Sequence, residues 1–305
     1  MKSRCRYTLL LIALLLIIIW FFHKPIIHTR KYDKILILTT TRSDSSFLSE
    51  IFNSRKEVFY LFEPLWYLNN IYNEYTKVLK ALFNCKLTIL RKYIVKNFFF
   101  KRNYSKTLCK PGKTCIYELN NDSKYTCNSL KCQLLDLDLA SSYCKEFNSI
   151  VIKTVRIRNK TQALELMNLF NIKIIHLIRD PRGSFNSKIK TFDRNYNFRQ
   201  IAKICQDDVD IYNTLNNKIG YYLLRYEDLI MNPEKELINL FSFCNLSFDE
   251  NILKMVYRLS SSNQSRLYVI GKTESDIWKV ELPKSKLIAI EKACSINMKL
   301  FNYID

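Results

Sequence analysis

Residues 35–48 read Ile35-Leu36-Ile37-Leu38-Thr39-Thr40-Thr41-Arg42-Ser43-Asp44-Ser45-Ser46-Phe47-Leu48, and this stretch decides the fold. Four consecutive apolar residues predict a fully buried strand. Hydroxyl residues around one arginine follow, and Phe47, Leu48, Ile51 and Phe52 then fall on one helical face. Strand, polar turn and helix start make an anion cradle. Free N–H groups of the helix converge with turn donors there, and the helix dipole favours negative charge. The hydroxyls add donors and Arg42 a cationic fork. An ordinary strand–loop–helix with Ser or Asp as the cap fits the same stretch taken alone.

The 305 residues hold one sizeable α/β domain with an insertion, or two small domains, and 48% hydrophobic content supports a real core. A formal charge of +20 points to an anionic partner. Richness in Lys, Asn and Ile with only four Gly accounts for part of that excess. No recognition motif or single basic stripe is present, which disfavours nucleic acid.

Upstream, Lys2, Arg4 and Arg6 precede an apolar run from Leu9 to Phe22. With Thr8 it is about 15 residues, against roughly 20 for an average bilayer. Trp20, Phe21, Phe22 and His23 stand where signal cleavage wants small residues, so a signal anchor over 8–22 is expected. Residues 1–7 become a cytosolic tail, 23–34 a short stem and 35–305 a luminal domain. Sequons at Asn103, Asn121, Asn159, Asn245 and Asn263 agree with a lumen. So do ten Cys, of which Cys109, Cys115, Cys127, Cys132 and Cys144 crowd an insertion at about 101–148. They lack paired zinc spacing, and disulfides are the better reading; the pairings are open.

Downstream, Val58–Phe62 predicts a second buried strand, ended by Glu63-Pro64. A carboxylate past a strand's C-terminal end lies where open α/β sheets place ligands, so Glu63 is a candidate general base. Residues 65–100 have roughly helical spacing and suit either a lid or a core stripe. Asp136-Leu137-Asp138 forms a DxD, a weak pattern that Asp208-Val209-Asp210 repeats by chance. Ile150–Ile152 predicts a third strand, and Ile172–Ile178 the clearest strand in the chain. The latter delivers Arg179-Asp180-Pro181-Arg182-Gly183 and then Ser187, with Pro181 suited to a first helical turn. Arg179 and Ser187 are placed to clamp a second phosphate, with Asp180 holding an arginine. Helices are expected at 191–210, at 234–243 after Pro233, and along Leu287, Ile290, Cys294, Met298 and Phe301. Tyr221–Leu224 reads as a further strand, followed by structural pairs among Arg225, Glu227 and Asp228. Residues 260–275 read as a polar loop from which Lys272 can reach phosphates.

The segments TTTRSDSSFLSEIFN (39–53), VFYLFEPLWYL (58–68), VIKTVRI (151–157), IIHLIRDPRGSFNSK (174–188) and YYLLRYEDLIMNP (221–233) resemble, in order and spacing, the Golgi carbohydrate 6-O-sulfotransferases. That family modifies galactose, N-acetylgalactosamine or N-acetylglucosamine in keratan and chondroitin sulfates. The likeness runs from about Ile35 to Tyr303 and includes IWKVELP (277–283). It implies a P-loop-like sulfotransferase fold, with a central parallel sheet flanked by helices. It also implies 3′-phosphoadenylyl sulfate as donor, no metal, a glycan or proteoglycan acceptor, and a type II Golgi membrane protein; a homodimer is left open.

Carried over by position, Thr40, Thr41, Arg42, Ser43, Asp44, Ser45 and Ser46 cradle the 5′-phosphosulfate, with Arg42 neutralising the leaving oxygen. Arg179, Asp180, Pro181, Arg182, Gly183 and Ser187 form the 3′-phosphate segment, and Glu63 is the base for the sugar 6-hydroxyl. Asp44 departs from the pattern, standing where the family carries Gly. Either its side chain turns away to cap the helix or it weakens donor binding. The rival readings are a metal-dependent type II glycosyltransferase resting on Asp136 and Asp138, and a catalytically impaired, glycan-binding relative.

Overall fold

The computed structural model describes residues 32–304 apart from 69–71, 93–103, 111, 118–131, 192–196 and 262–275. Seven strands run through the described residues: β1 (Asp33–Leu38), β2 (Val58–Phe62), β3 (Cys115–Tyr117), β4 (Cys132–Leu135), β5 (Ser149–Thr154), β6 (Lys173–Ile178) and β7 (Tyr221–Arg225). β3 and β4 form a small antiparallel pair. The other five make one parallel sheet in the order β2-β5-β1-β6-β7. From β1 the chain first builds outward on one side, through β2 and β5, and later on the other, through β6 and β7. The C-terminal ends of β1 and β6 therefore frame the topological switch point, where open α/β sheets bind ligands.

The apolar runs of the strands follow from burial on both faces. Leu36, Leu38, Ile150, Ile152 and Ile174 point into one core with α2 (Tyr72–Leu82), α3 (Leu137–Cys144) and α4 (Lys160–Phe170). Ile35, Ile37, Val151, Ile175 and Leu177 point into the other, with α1 (Ser45–Asn53), α7 (Tyr226–Met231), α8 (Pro233–Cys244) and α9 (Glu250–Ser261). A third cluster joins α5 (Pro181–Thr191) and α6 (Phe198–Leu215) to α10 (Trp278–Glu281), α11 (Lys284–Ala293) and α12 (Ser295–Leu300), through Phe185, Ile201, Trp278, Ile290 and Met298. The Cys205–Cys294 disulfide ties α6 to the α11–α12 junction, and Cys85–Cys144 ties the turn after α2 to the end of α3. Cys109 is also disulfide-bonded.

Three expectations change and one open alternative is decided. β1 starts at Asp33, so two residues assigned to the stem belong to the sheet. Of the two readings of the stretch after Pro64, lid or core stripe, α2 follows the second. Tyr75, Val78, Leu79 and Leu82 of α2 are fully buried, and the helix gives way to a turn in which Cys85 takes φ 54°. A helix was expected from Thr191 to Asp210. Instead α5 ends at Thr191, and α6 starts at Phe198 behind an Asn197–Gln200 capping box and runs on to Leu215. The last apolar stripe is two helices broken at Cys294. No helix among the described residues is long and apolar enough to cross a membrane; the expected span at 8–22, with the tail before it, lies outside them. So do Lys272 and the sequons at Asn103, Asn121 and Asn263.

Candidate active site

Three of the loops at the C-terminal edge of the sheet carry the expected residues. The first follows β1. Thr39 Oγ1 lies 3.0 Å from the Leu177 carbonyl and Ser43 Oγ 2.8 Å from the Thr40 carbonyl, and the two hydroxyls bond each other, so one donates to the other and the other to its own carbonyl. Ser43 is thereby a buried pin that closes the turn, while Thr41 lies on its exposed rim. Arg42 and Asp44 both take left-handed backbone, φ 67° and 55°, which side-chain-bearing residues seldom adopt. Asp44 occupies the N-cap position of α1, its carbonyl accepting from the Phe47 N–H at 3.0 Å. Its side chain makes no cap bond. The leading N–H groups of α1, from Ser45 and Ser46, face the turn without partners inside the helix.

The second loop follows β6. Arg42 Nε donates to Ser187 Oγ on α5 at 2.8 Å, so the two loops meet where the sequence places two phosphate subsites. Arg179 Nη1 donates to the Arg42 carbonyl at 3.3 Å and to the Asp44 carboxylate, with which it forms an ion pair. Its guanidinium lies over the Tyr226 ring, 4.7 Å from the centroid. Its Nε is buried without a hydrogen-bond partner. Gly183 leaves room beside that edge, since a Cβ there would stand 3.2 Å from Nε. Burial pushes the Asp44 carboxyl above the usual carboxylate value, against the pull of Arg179 and Arg42.

Asp180 does hold an arginine. Its carboxylate accepts from the Arg182 backbone N–H at 2.8 Å and from the Arg182 guanidinium at 2.7 Å. Arg182 also donates to Glu291 at 3.0 Å and to the Tyr303 carbonyl at 2.9 Å, and it stacks on Trp278. All three guanidinium nitrogens are engaged, which makes Arg182 a strut between α5 and the C-terminal helices. Pro181 opens α5. Below them, Glu227 Oε1 accepts from the Asp180 N–H at 2.9 Å and Glu227 Oε2 from the Tyr303 hydroxyl at 3.1 Å. Burial raises the Glu227 carboxyl to about 7. Arg225 donates to Asp228 at 3.2 Å.

The third loop follows β2, two strands from β1 and so on the order of 10 Å along the edge. Glu63 is 3% exposed and has φ 51°. Its Oε1 accepts from Lys153 Nζ at 2.7 Å and its Oε2 from the Val155 N–H at 3.3 Å. Lys153, the residue paired with Phe62 across β2 and β5, is itself 4% exposed and lies 4.5 Å from the Phe62 centroid. Nothing in the sequence singles out Lys153 as a partner of Glu63. Its one signal was a lysine directly after the apolar run Ile150–Ile152, inside the strand rather than beyond it.

The rival metal motif dissolves into local roles. Asp136 caps α3, accepting from the Asp138 and Leu139 N–H groups at 2.9 and 3.0 Å, and Asp138 pairs with Arg91 at 2.7 Å. Asp208 is buried against His176 and Arg158, and Asp210 pairs with Lys160 at 3.3 Å.

Comparison with known proteins gives one answer. The sulfotransferase domain family matches residues 32–286. Carbohydrate sulfotransferase 3 of Tetronarce californica is 28% identical over 92% of this chain and 74% of its own length. Carbohydrate sulfotransferase 1 of Danio rerio is 30% identical over 75% and 66%, and that of Homo sapiens 31% over 73% and 66%. The chain thus spans about two thirds to three quarters of these relatives. Among solved structures, the sulfotransferase domain from the curacin biosynthetic pathway superimposes with a TM-score of 0.51 at 18% identity, covering 88% of this chain and 99% of that one. The domain from the Synechococcus PCC 7002 olefin synthase also gives 0.51, at 15% identity over 91% and 98%. These two likenesses establish the α/β sulfotransferase fold. The chain belongs to the sulfotransferase domain family, on its carbohydrate sulfotransferase branch.

Proposed function

We propose that the chain transfers a sulfuryl group from 3′-phosphoadenylyl sulfate to the 6-hydroxyl of a Gal, GalNAc or GlcNAc residue in a glycan of keratan or chondroitin type. The observation that carries this reading is the meeting of Arg42 with Ser187, beside Arg179, at the β1–β6 switch point. Two loops distant in sequence bring their cationic and hydroxyl groups to one place. The buried, unpartnered Nε of Arg179 is a donor suited to an anion. Bound there, the donor would supply the activated sulfuryl group. The chain's part is to bind and to orient. The α1 N-terminus with Arg42 and the flanking hydroxyls would hold the 5′ end, and Arg179 with Ser187 the 3′-phosphate. Fixed positive charge is then in place where the departing phosphate gains negative charge. Glu63, reached along the same sheet edge, would accept the acceptor hydroxyl's proton on a carboxylate oxygen. Lys153 orients that carboxylate.

Support for a luminal, membrane-anchored enzyme comes from the apolar run at 8–22 and from disulfides that an oxidising compartment sustains. The engagement of Asp136 and Asp138 in a cap and an ion pair speaks against the glycosyltransferase reading. Incubating the chain with labelled donor and desulfated keratan, chondroitin and N-acetylglucosamine-terminated acceptors tests the assignment. Label on the 6-hydroxyl of one of them is expected, in EDTA as in its absence. Donor binding without transfer to any acceptor would replace this reading with a glycan-binding one.

A further inference from the structure

The Asp44 carboxylate neither caps α1 nor faces open solvent. It lies on Arg179, the arginine assigned above to the donor's 3′-phosphate, and the inference rests on that assignment. Both side chains are largely buried, 18% and 6% exposed. Asp44 and Arg179 are held from both sides. Asp44 is fixed by its left-handed backbone at the head of α1, and Arg179 by the Arg42 carbonyl and the Tyr226 ring. A buried guanidinium without a counter-anion is costly, so the pair stabilises the ligand-free loop. The same pair works against a ligand. A phosphate arriving at Arg179 must displace the carboxylate or lie beside it, and like charges a few ångströms apart in a poorly solvated site repel.

We propose that Asp44 is an affinity-setting residue of the donor site, a built-in anion on Arg179 that the donor's phosphate must work against. Two consequences follow from charge alone. Without ligand, Asp44 keeps Arg179 compensated and in position. With ligand, it reduces the net attraction for a bisphosphate. Removing the charge should therefore loosen the empty protein and tighten the loaded one. Asn retains the shape and tolerates left-handed backbone, and Gly suits that backbone without a side chain.

The test uses the full chain and adenosine 3′,5′-bisphosphate, with affinity read by calorimetry and stability by melting with and without the nucleotide. Asp44→Asn and Asp44→Gly should each bind at least tenfold more tightly than wild type at pH 7.5. Each should also melt lower when empty and show a larger nucleotide-induced rise. Affinities within twofold of wild type, or weaker, in both variants would overturn the proposal. Arg179→Ala separates the two ideas. If it loses binding while the Asp44 variants gain nothing, the donor site stands and the role of Asp44 falls. If Arg179→Ala binds as wild type does, both fall together.

Discussion

The ammonium of Lys153 lies 2.7 Å from Glu63 Oε1, and neither side chain is more than 5% exposed. Strand pairing puts Lys153 opposite Phe62, one residue before Glu63, so the ion pair is a product of register. Removing one member of a buried pair leaves the other uncompensated, at a cost of about 3–5 kcal/mol. Lys153→Met should therefore lower the denaturation midpoint by that equivalent. It should also lower turnover in the sulfate-transfer assay, because Glu63 loses the ammonium that orients its carboxylate. A variant that melts with wild type and keeps full turnover would remove Lys153 from this role.

Glu63→Gln retains the volume and the bond from the Val155 N–H but has no basic oxygen. Turnover in the sulfate-transfer assay should fall by about 10²–10⁴-fold. Affinity for adenosine 3′,5′-bisphosphate should stay within roughly threefold, since the carboxylate sits two strands from the phosphate loop. Full turnover by this variant would sink the base assignment.

Ser187 ties α5 to the phosphate loop through Arg42 Nε. A hydrogen bond to a charged group contributes about 1.5–3 kcal/mol, so Ser187→Ala should weaken bisphosphate binding about 10-fold or more. Turnover at saturating donor should change less than affinity. The reverse split, measured by titrating donor in the transfer assay, would place Ser187 in the chemical step instead.

Glu227 makes stability depend on pH in a defined sense. Burial raises its carboxyl from 4.5 to about 7, so the folded protein holds that proton more tightly than the unfolded chain does. Its contribution is full below about 4.5 and is lost as pH rises through about 7. Glu227→Gln keeps an oxygen for the Asp180 N–H and has no such loss. Its melting temperature should gain on wild type steadily from pH 4.5 to 7.5, and parallel curves would contradict this.

Cys205 and Cys294 join positions 89 residues apart, closing a long loop across the C-terminal helices. Replacing both with Ser should cost about 2–5 kcal/mol in chemical denaturation. Arg182 spans from the donor segment to Glu291 on the helix that Cys294 follows. Bisphosphate affinity in the double variant should therefore fall with the loosening of α5. Unchanged stability would show that packing of Trp278, Ile290 and Met298 alone holds these helices.

Sequence by itself marked the strands of the sheet, because strands buried on both faces are mostly apolar. Ile35–Leu38, Val58–Phe62 and Ile150–Ile152 were therefore visible as unbroken runs, and Ile172–Ile178 as a run broken only by Lys173 and His176. It also showed the residue set of the proposed phosphate loop, since the hydroxyls and Arg42 follow the strand directly and need no long-range contact to be seen. Helix limits were less legible. The Asn197 cap and the break at Cys294 are set by hydrogen bonds and a disulfide, which periodicity does not encode. Tertiary structure alone decided the partners of the charged groups. Lys153 reached Glu63 through strand register, and Arg182 left the donor segment for Glu291. Asp44, whose direction depended on what stood opposite the loop, met Arg179 from a strand end 135 residues away. A carboxylate's role depends on which cation the fold carries to it, and that information lies in the packing of the whole sheet.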